Sequence, residues 1–241
     1  MSISRRDVLK YVATAPAALG LGAGLQSVLA AATASAQPYG VLLDYAAAPI
    51  SASDLKAAGA VGAIRYVSDR RPGAEWMLGK PIQVAEARDL YQGGLKIVSC
   101  YQYGKQATAD WLGGQDAGVQ HAQRGFQLHT DAGGPVGAPI YASIDDDPNL
   151  EQYKSQVAPY LRGWESVLGH QRVGVYGNSK TIEWAIQDGL GSYFWQHNWG
   201  SPGGVAHPAA ALHQVRINQD KAGGIDVDIN NILKPAYGQW D

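Results

Sequence analysis

The sequence predicts an α/β fold, a compact single-domain (β/α)8 barrel of the TIM type. Eight short apolar runs alternate with stretches of helical period, the pattern of a parallel sheet wrapped in helices. Acids and aromatic residues recur where those runs end, which is where a barrel of this kind places its site. No G-x-G-x-x-G follows the first run, which disfavours a dinucleotide-binding doubly wound sheet, the alternative arrangement. Past a leader, roughly 205 residues remain, enough for one full core but short for such a barrel.

The first strand is "GVLLDYA" (40–46), followed by a short helix at "SASDLKAAGA" (51–60), which opens with a capping serine. "VGAIRYVS" (61–68) is the second strand. "PIQVAEARDLYQGG" (81–94) reads as a helix with proline at its start and a Gly-Gly stop. "LKIVSCYQY" (95–103) is the third strand, and a long helix fills 113–134 between glycine pairs. "APIYASID" (138–145) is the fourth strand. The helix of 149–169 has apolar positions at period 3.6 and a kink expected at Pro159. "RVGVYG" (172–177) is the fifth strand, and Asn178 caps the helix of 178–191. "SYFWQHNW" (192–199), "ALHQVRI" (211–217) and "GIDVDIN" (224–230) complete the strands, with a terminal helix expected near "NNILKP".

Residues 1–36 read as a leader rather than as part of the fold. Arg5 and Arg6 stand in "MSISRRDVLK", a mild Ala/Gly-rich stretch follows, and Ala34-Ser35-Ala36 fits a small-x-small cleavage site. Ser4 to Lys10 resembles a twin-arginine export signal, with Val8 where phenylalanine is more usual. The expected location is therefore outside the cell or in its envelope. An uncleaved anchor helix is the alternative, although glycine, alanine and proline make a poor membrane span. The formal net charge of −2 carries no footprint for nucleic acid. Cys100 is the one cysteine, so no internal disulfide exists, and its apolar setting reads as a buried small hydrophobe.

The strand ends carry the chemistry. In chain order they read Asp44-Tyr45, Arg65-Tyr66, Tyr101-Gln102-Tyr103, Asp145-Asp146-Asp147, Tyr176, Trp195-Gln196-His197, His213-Gln214 and Asp226-Val227-Asp228. First and eighth strands adjoin in a closed barrel, and the fourth lies across the mouth. Side chains alternate along an extended strand, so Asp145 and Asp147 share a face while Asp146 points away. Carboxylates gathered at a desolvated mouth repel one another, and one is driven to hold its proton. It then serves as general acid while a neighbour stays ionised, the pairing glycoside hydrolysis uses. Asp44, Asp145, Asp147 and Asp228 are the catalytic candidates. Arg65, Tyr101, Tyr103, Tyr176, Trp195, Gln214 and Asp226 are the candidates for holding a saccharide, aromatic faces serving as platforms for sugar rings.

Bland readings stand beside these. Asp147 before Pro-Asn also suits a capping turn, and Arg65 suits the partner of a buried acid. Oxygen-rich clusters also bind Ca²⁺, Mg²⁺ or Mn²⁺, but His197, His207 and His213 show no zinc spacing. No metal or cofactor is expected. No G-x-S-x-G elbow or phosphate-binding loop is present either.

"LLDYA", "GAIRYVSDRRPG", "KIVSCYQYG", "PIYASIDDDP", "GVYGNSKTIEWA", "YFWQHNWGSP" and "GIDVDIN" carry a family resemblance over the leader and essentially all that follows. The chain resembles the exported actinobacterial glycoside-hydrolase-like proteins of the domain-of-unknown-function-1906 family. More distantly it is similar to the glycoside hydrolase family 25 lysozymes, barrels that cut peptidoglycan. That resemblance places the lysozymes' strand-one Asp on Asp44 and their strand-eight Asp on Asp228. Their Asp-x-Glu falls on Asp145 and Asp147, so Asp147 stands where the lysozymes carry the catalytic glutamate. An aspartate there withdraws the carboxyl by about an ångström, a displacement that can cost roughly 100-fold in rate.

These readings imply an exported protein acting on envelope polysaccharide, with cell-wall glycan and the export machinery as partners. Asp147 or Asp145 would donate the proton, with Asp44 and Asp228 stabilising charge or placing a water. Two alternatives are a glycan-binding or regulatory protein that keeps the pocket without turnover, and a metal-dependent envelope hydrolase.

Overall fold

The computed structural model describes residues 39–241; the leader, its cleavage site and the anchor alternative lie outside the described residues. The strands are β1 (Val41–Asp44), β2 (Gly62–Tyr66), β3 (Lys96–Tyr101), β4 (Ile140–Ser143), β5 (Val173–Gly177), β6 (Tyr193–Gln196), β7 (Leu212–Ala222), β8 (Ile225–Ile232) and β9 (Gln239–Trp240). The α-helices are α1 (Ala52–Ala57), α2 (Val84–Gln92), α3 (Gly114–Asp131), α4 (Leu150–Gln152), α5 (Ala158–Leu168) and α6 (Ser179–Gln187). A π-helical turn, Tyr153–Val157, joins α4 to α5 in one continuous helical run, and Pro159 lies inside that run just after the π turn.

The sheet runs β2-β1-β8-β7-β6-β5-β4-β3 and closes through a β2–β3 pairing, giving an eight-stranded barrel. β9 adds antiparallel to the start of β3. Parallel pairs link β1 through β7 around the wall, and α-helices cross between strands as far as β6. The regular alternation stops at β7. Ala222 pairs with Ile225, so only Gly223 and Gly224 form the turn. Both have positive φ, 55° and 82°, as a type I′ hairpin requires of its two central residues. β8 therefore runs antiparallel to both neighbours, β7 and β1. No terminal helix forms near "NNILKP"; Asn230 to Ile232 belong to β8, which pairs with β1.

The barrel interior is packed. Leu42, Ile64, Val98, Cys100, Tyr141, Tyr176, Trp195, Leu212 and Ile232 form one buried cluster, and the Tyr141 hydroxyl donates to the Tyr237 carbonyl at 2.9 Å. The lumen is thus a core, with a site only where the filling ends. A larger cluster between wall and helices holds Leu43, Leu55, Ala63, Leu90, Ile97, Ala142, Leu161, Trp164 and Val175.

Glycine sets the closeness of one helix pair. A Cβ on Gly118 of α3 would stand 2.1 Å from the Tyr160 carbonyl oxygen of α5, and one on Gly163 would stand 2.4 Å from the Gln115 carbonyl. Gly118→Ala is expected to cost about 1–3 kcal/mol through overpacking. Calorimetry should show a lower unfolding midpoint; an unchanged midpoint would contradict the close crossing.

Candidate active site at the barrel mouth

Three carboxylates gather where the apolar filling ends. Asp44 closes β1 and is buried. Asp228 lies directly opposite it in register, because β8 enters the barrel from the mouth. Asp145 follows β4. Their charges act on one another. Burial above all, then the Asp44 charge, raises the Asp228 carboxyl to about 7, and Asp145 adds to the push. Burial likewise raises Asp44 and Asp145, against the hydrogen bonds each receives.

Hydrogen bonds separate the roles. Asp44 accepts from Asn230 Nδ2 at 2.7 Å, from the Tyr66 hydroxyl at 3.1 Å and from Gln214 Nε2 at 3.2 Å. The orientation of Asn230 is fixed from behind. Trp195 Nε1, which can only donate, gives its proton to Asn230 Oδ1 at 2.8 Å and turns the amide nitrogen toward Asp44. The Tyr176 hydroxyl does the same for Gln214, donating to Oε1 at 2.7 Å. Three donors to a buried carboxylate favour its ionised form. At Asp44 they offset only part of the burial, and Asp44 and Asp228 titrate as a coupled pair, both raised. Gln214 Nε2 also lies 3.2 Å from Asp228 Oδ2, so the two carboxylates stand no more than twice that distance apart.

A bulged stretch of β7 supplies the remaining contact to Asp228. The register shifts between Arg216 and Asp220, and Asn218, at φ 53°, aims its backbone N–H at Asp228 Oδ1, 2.8 Å away. Bulges often re-aim groups in this way beside sites, and asparagine tolerates the left-handed conformation.

Asp145 accepts from Gln102 Nε2 at 2.7 Å through Oδ2, while its Oδ1 is buried with no partner. Next to it is Lys80, from the long β2–α2 loop. Its ammonium donates to the Gln102 carbonyl at 2.9 Å and lies 3.8 Å from the Tyr66 ring centre. Burial lowers it to about 8. On the opposite wall His197 packs against Tyr176 and Trp199, ring centres 5.0 and 4.9 Å away. Burial holds its imidazole down at about 4, neutral at physiological pH.

Several expected site residues lie elsewhere. Asp147 and Asp145 do not share a strand face, because β4 ends at Ser143 and Asp146 N–H turns back to the Ile144 carbonyl at 2.8 Å. Asp147 is 47% exposed, pairs with Lys180 at 2.8 Å and accepts from Asn178 Nδ2 at 2.7 Å. Nor does it cap the helix that follows, since Asn149 accepts from Gln152 N–H in that role. Arg65 points outward, wholly buried, and its Nε meets Glu86 at 2.8 Å. Tyr101 also faces outward, edge-on to Trp164 at 5.6 Å. Tyr103 lines a separate cleft with Arg71 and Lys105. Asp226 stands exposed on the hairpin, 2.6 Å from Lys221. Tyr176, Trp195 and Gln214 do converge on the carboxylates. Tyr66 and Gln102, named at the strand ends but given no role, join them, as do Lys80 and Asn230, which the sequence reading did not name.

A surface concavity of about 820 Å³ opens at the opposite end of the barrel and is lined by His170, Arg172, Tyr193 and Lys234 among others. It contains none of the three carboxylates. Among the described residues no group of three or more His, Cys, Asp or Glu side chains is arranged to hold a metal ion.

A closed α/β barrel with buried, mutually perturbed carboxylates at one mouth defines a class: barrels with the acid–base equipment of a glycosidase. Residues 53–232 match the family described as Rv2525c-like, glycoside hydrolase-like domain, and the chain belongs to that family. It is 71% identical over 240 residues, all of both chains, to a Mycobacterium tuberculosis protein that carries the name "Putative peptidoglycan hydrolase Rv2525c". The crystal structure of the Tat-secreted Rv2525c in complex with L-tartrate superposes with a TM-score of 0.83 at 73% identity, covering 84% of this chain and 99% of that one. The modular autolysin LytC of Streptococcus pneumoniae, in complex with a synthetic peptidoglycan ligand, shares the fold. Its TM-score is 0.54 at 11% identity, over 80% of this chain and 46% of that one.

Proposed function

We propose that this is an exported glycoside hydrolase acting on peptidoglycan-type glycan of the cell envelope, through the carboxylates at the barrel mouth. The observation that carries the reading is the Asp44–Asp228 pair, two carboxylates opposite each other in register whose pKa values are both raised by burial and which are coupled to each other. The name of the mycobacterial relative supplies the substrate class, and its secretion together with Arg5-Arg6 supports the export route. We also assign the barrel to the TIM-like (β/α)8 group, with the last unit replaced by the β7–β8 hairpin.

In this mechanism Asp228 donates its proton to the glycosidic oxygen as the bond breaks. Asp145, with an oxygen free of protein partners, stabilises positive charge developing on the sugar and receives the proton of the attacking water. Asp44 does not touch substrate; its charge adds to the burial that raises Asp228. Tyr66, Gln214 and Asn230 hold that arrangement. Trp199, 43% exposed at the rim, offers a face for a sugar ring. Asp147 takes no part, so Asp147→Asn is expected to keep hydrolysis within about threefold of the natural protein, since a rim ion pair contributes little.

The direct test is release of reducing ends from purified cell-wall glycan by residues 37–241. One observation favours a second reading: the position aligned with the lysozyme glutamate holds a shorter side chain, turned toward Lys180. On that reading the protein binds glycan without cutting it. Calorimetry with glycan fragments would then show binding while no reducing ends form.

A further inference from the structure

We propose that the β2–β3 side of the mouth is a subsite for a carboxylate carried by the glycan, formed by Lys80 with Arg71 and Lys105. The inference rests on the glycan reading above and specifies which saccharides the site selects.

Gln102 joins the two halves of this corner. Its side chain holds Asp145, and its carbonyl receives both Lys80 Nζ at 2.9 Å and the Ser68 hydroxyl at 2.7 Å. Lys80 is 4% exposed, and the protein uses one of its three N–H donors in a hydrogen bond. Beyond Gln102 the chain turns through Tyr103 into a cleft of about 450 Å³, lined by Arg71, Pro72, Tyr103, Lys105 and Thr108 among others. Arg71 and Lys105 form no ion pair among the described residues. Both are near enough to the mouth to act on it: the charge of Arg71 bears on Lys80, and that of Lys105 on Asp145. The acid behind this corner, Asp110, is already occupied by the backbone N–H groups of Tyr103 and Gly104, at 2.8 and 2.7 Å.

Lys80 and Lys105 act on Asp145, and Arg71 shares the cleft with Lys105; such a cationic corner is unsuited to a neutral sugar, which offers only hydroxyls. A carboxylate on a substituent reaching from the reacting sugar into the cleft satisfies it. Such a group offers Lys80 a charge-assisted hydrogen bond, the strong kind. Buried ammonium groups left without an anion are costly, so the pairing gives selectivity as well as affinity.

The test compares soluble glycan fragments stripped of peptide, with sugar carboxylates either free or converted to methylamides, by calorimetry at low salt. The full protein should bind the free acid about tenfold more tightly or better, as one charge-assisted bond allows. The Arg71→Gln/Lys105→Gln variant, altered only at the rim, should lose most of that margin and bind the methylamide as before. Lys80→Met, which keeps the buried stem, should lose it too. Equal binding of the two fragments would overturn the subsite and leave the glycan reading standing. A margin untouched in all variants would overturn the assignment to these residues. Binding of neither fragment would overturn both the subsite and the glycan reading.

Discussion

Asp228→Asn is expected to lower the rate of glycan hydrolysis by about 10²–10⁴-fold, the usual worth of a positioned general acid. Asparagine keeps the acceptor that faces Asn218 N–H, so the hairpin stays in place, but it has no proton to give. The pH dependence follows from the same environment. A carboxyl raised to about 7 by burial and by Asp44 is protonated below that pH and charged above it. Since the donor must be protonated, kcat/KM should be high on the acid side and fall as pH rises through about 7. Asp44→Asn removes the charge that helps raise Asp228 and should move that descending limb to lower pH. A limb unmoved in Asp44→Asn, or full activity in Asp228→Asn, would remove the pair from the mechanism.

Arg65→Ala should be the most damaging change to stability away from the mouth. The guanidinium is wholly buried. It meets Glu86 with Nε at 2.8 Å and Nη2 at 3.3 Å, bonds the Gly79 carbonyl at 2.7 Å and the Tyr45 carbonyl, and lies 3.9 Å from the Tyr45 ring centre. Truncation leaves Glu86 buried with only the Tyr45 hydroxyl, and leaves two carbonyls without donors. Removing one partner of a buried pair typically costs about 3–5 kcal/mol. Urea unfolding should show that loss as a lower midpoint at unchanged slope. Lysine cannot reproduce the fork, so Arg65→Lys should recover only part of it. A loss below about 1 kcal/mol would place Arg65 among ordinary surface pairs. Gly79 directly precedes Lys80, so this ion pair also secures the loop that carries Lys80 to the mouth.

The strands were legible because each is an apolar run, and Asp44, Asp145 and Asp228 were legible because acids stand at the ends of three of them. Which face each residue takes was not. In an α/β barrel both sides of a strand are buried, one by the lumen and one by helices, so hydrophobicity shows no alternation to set the phase. Arg65 and Tyr66 illustrate this: both are largely buried neighbours on β2, yet the tyrosine reaches Asp44 and the arginine reaches α2. Tyr101 was misplaced for the same reason, its neighbours Cys100 and Gln102 being the inward ones. Asp147 failed differently. Period two holds only while the backbone is extended, and the chain turns immediately after Ser143. The antiparallel β8 had a visible signal in Gly223-Gly224, a two-residue hairpin pair, which the expectation of regular alternation obscured. Lys80 had no local signal, since it arrives from a loop whose course depends on Arg65 holding Gly79.

On this mechanism the working carboxylates are those buried at the mouth and not Asp147, the residue that the family resemblance sets at the lysozyme glutamate. The decisive experiment is release of reducing ends from purified cell-wall glycan, measured side by side for the natural protein, Asp145→Asn and Asp147→Asn. The arrangement predicts activity in the natural protein, its retention in Asp147→Asn and its loss in Asp145→Asn. Equal release by the natural protein and Asp145→Asn, or loss confined to Asp147→Asn, would contradict it.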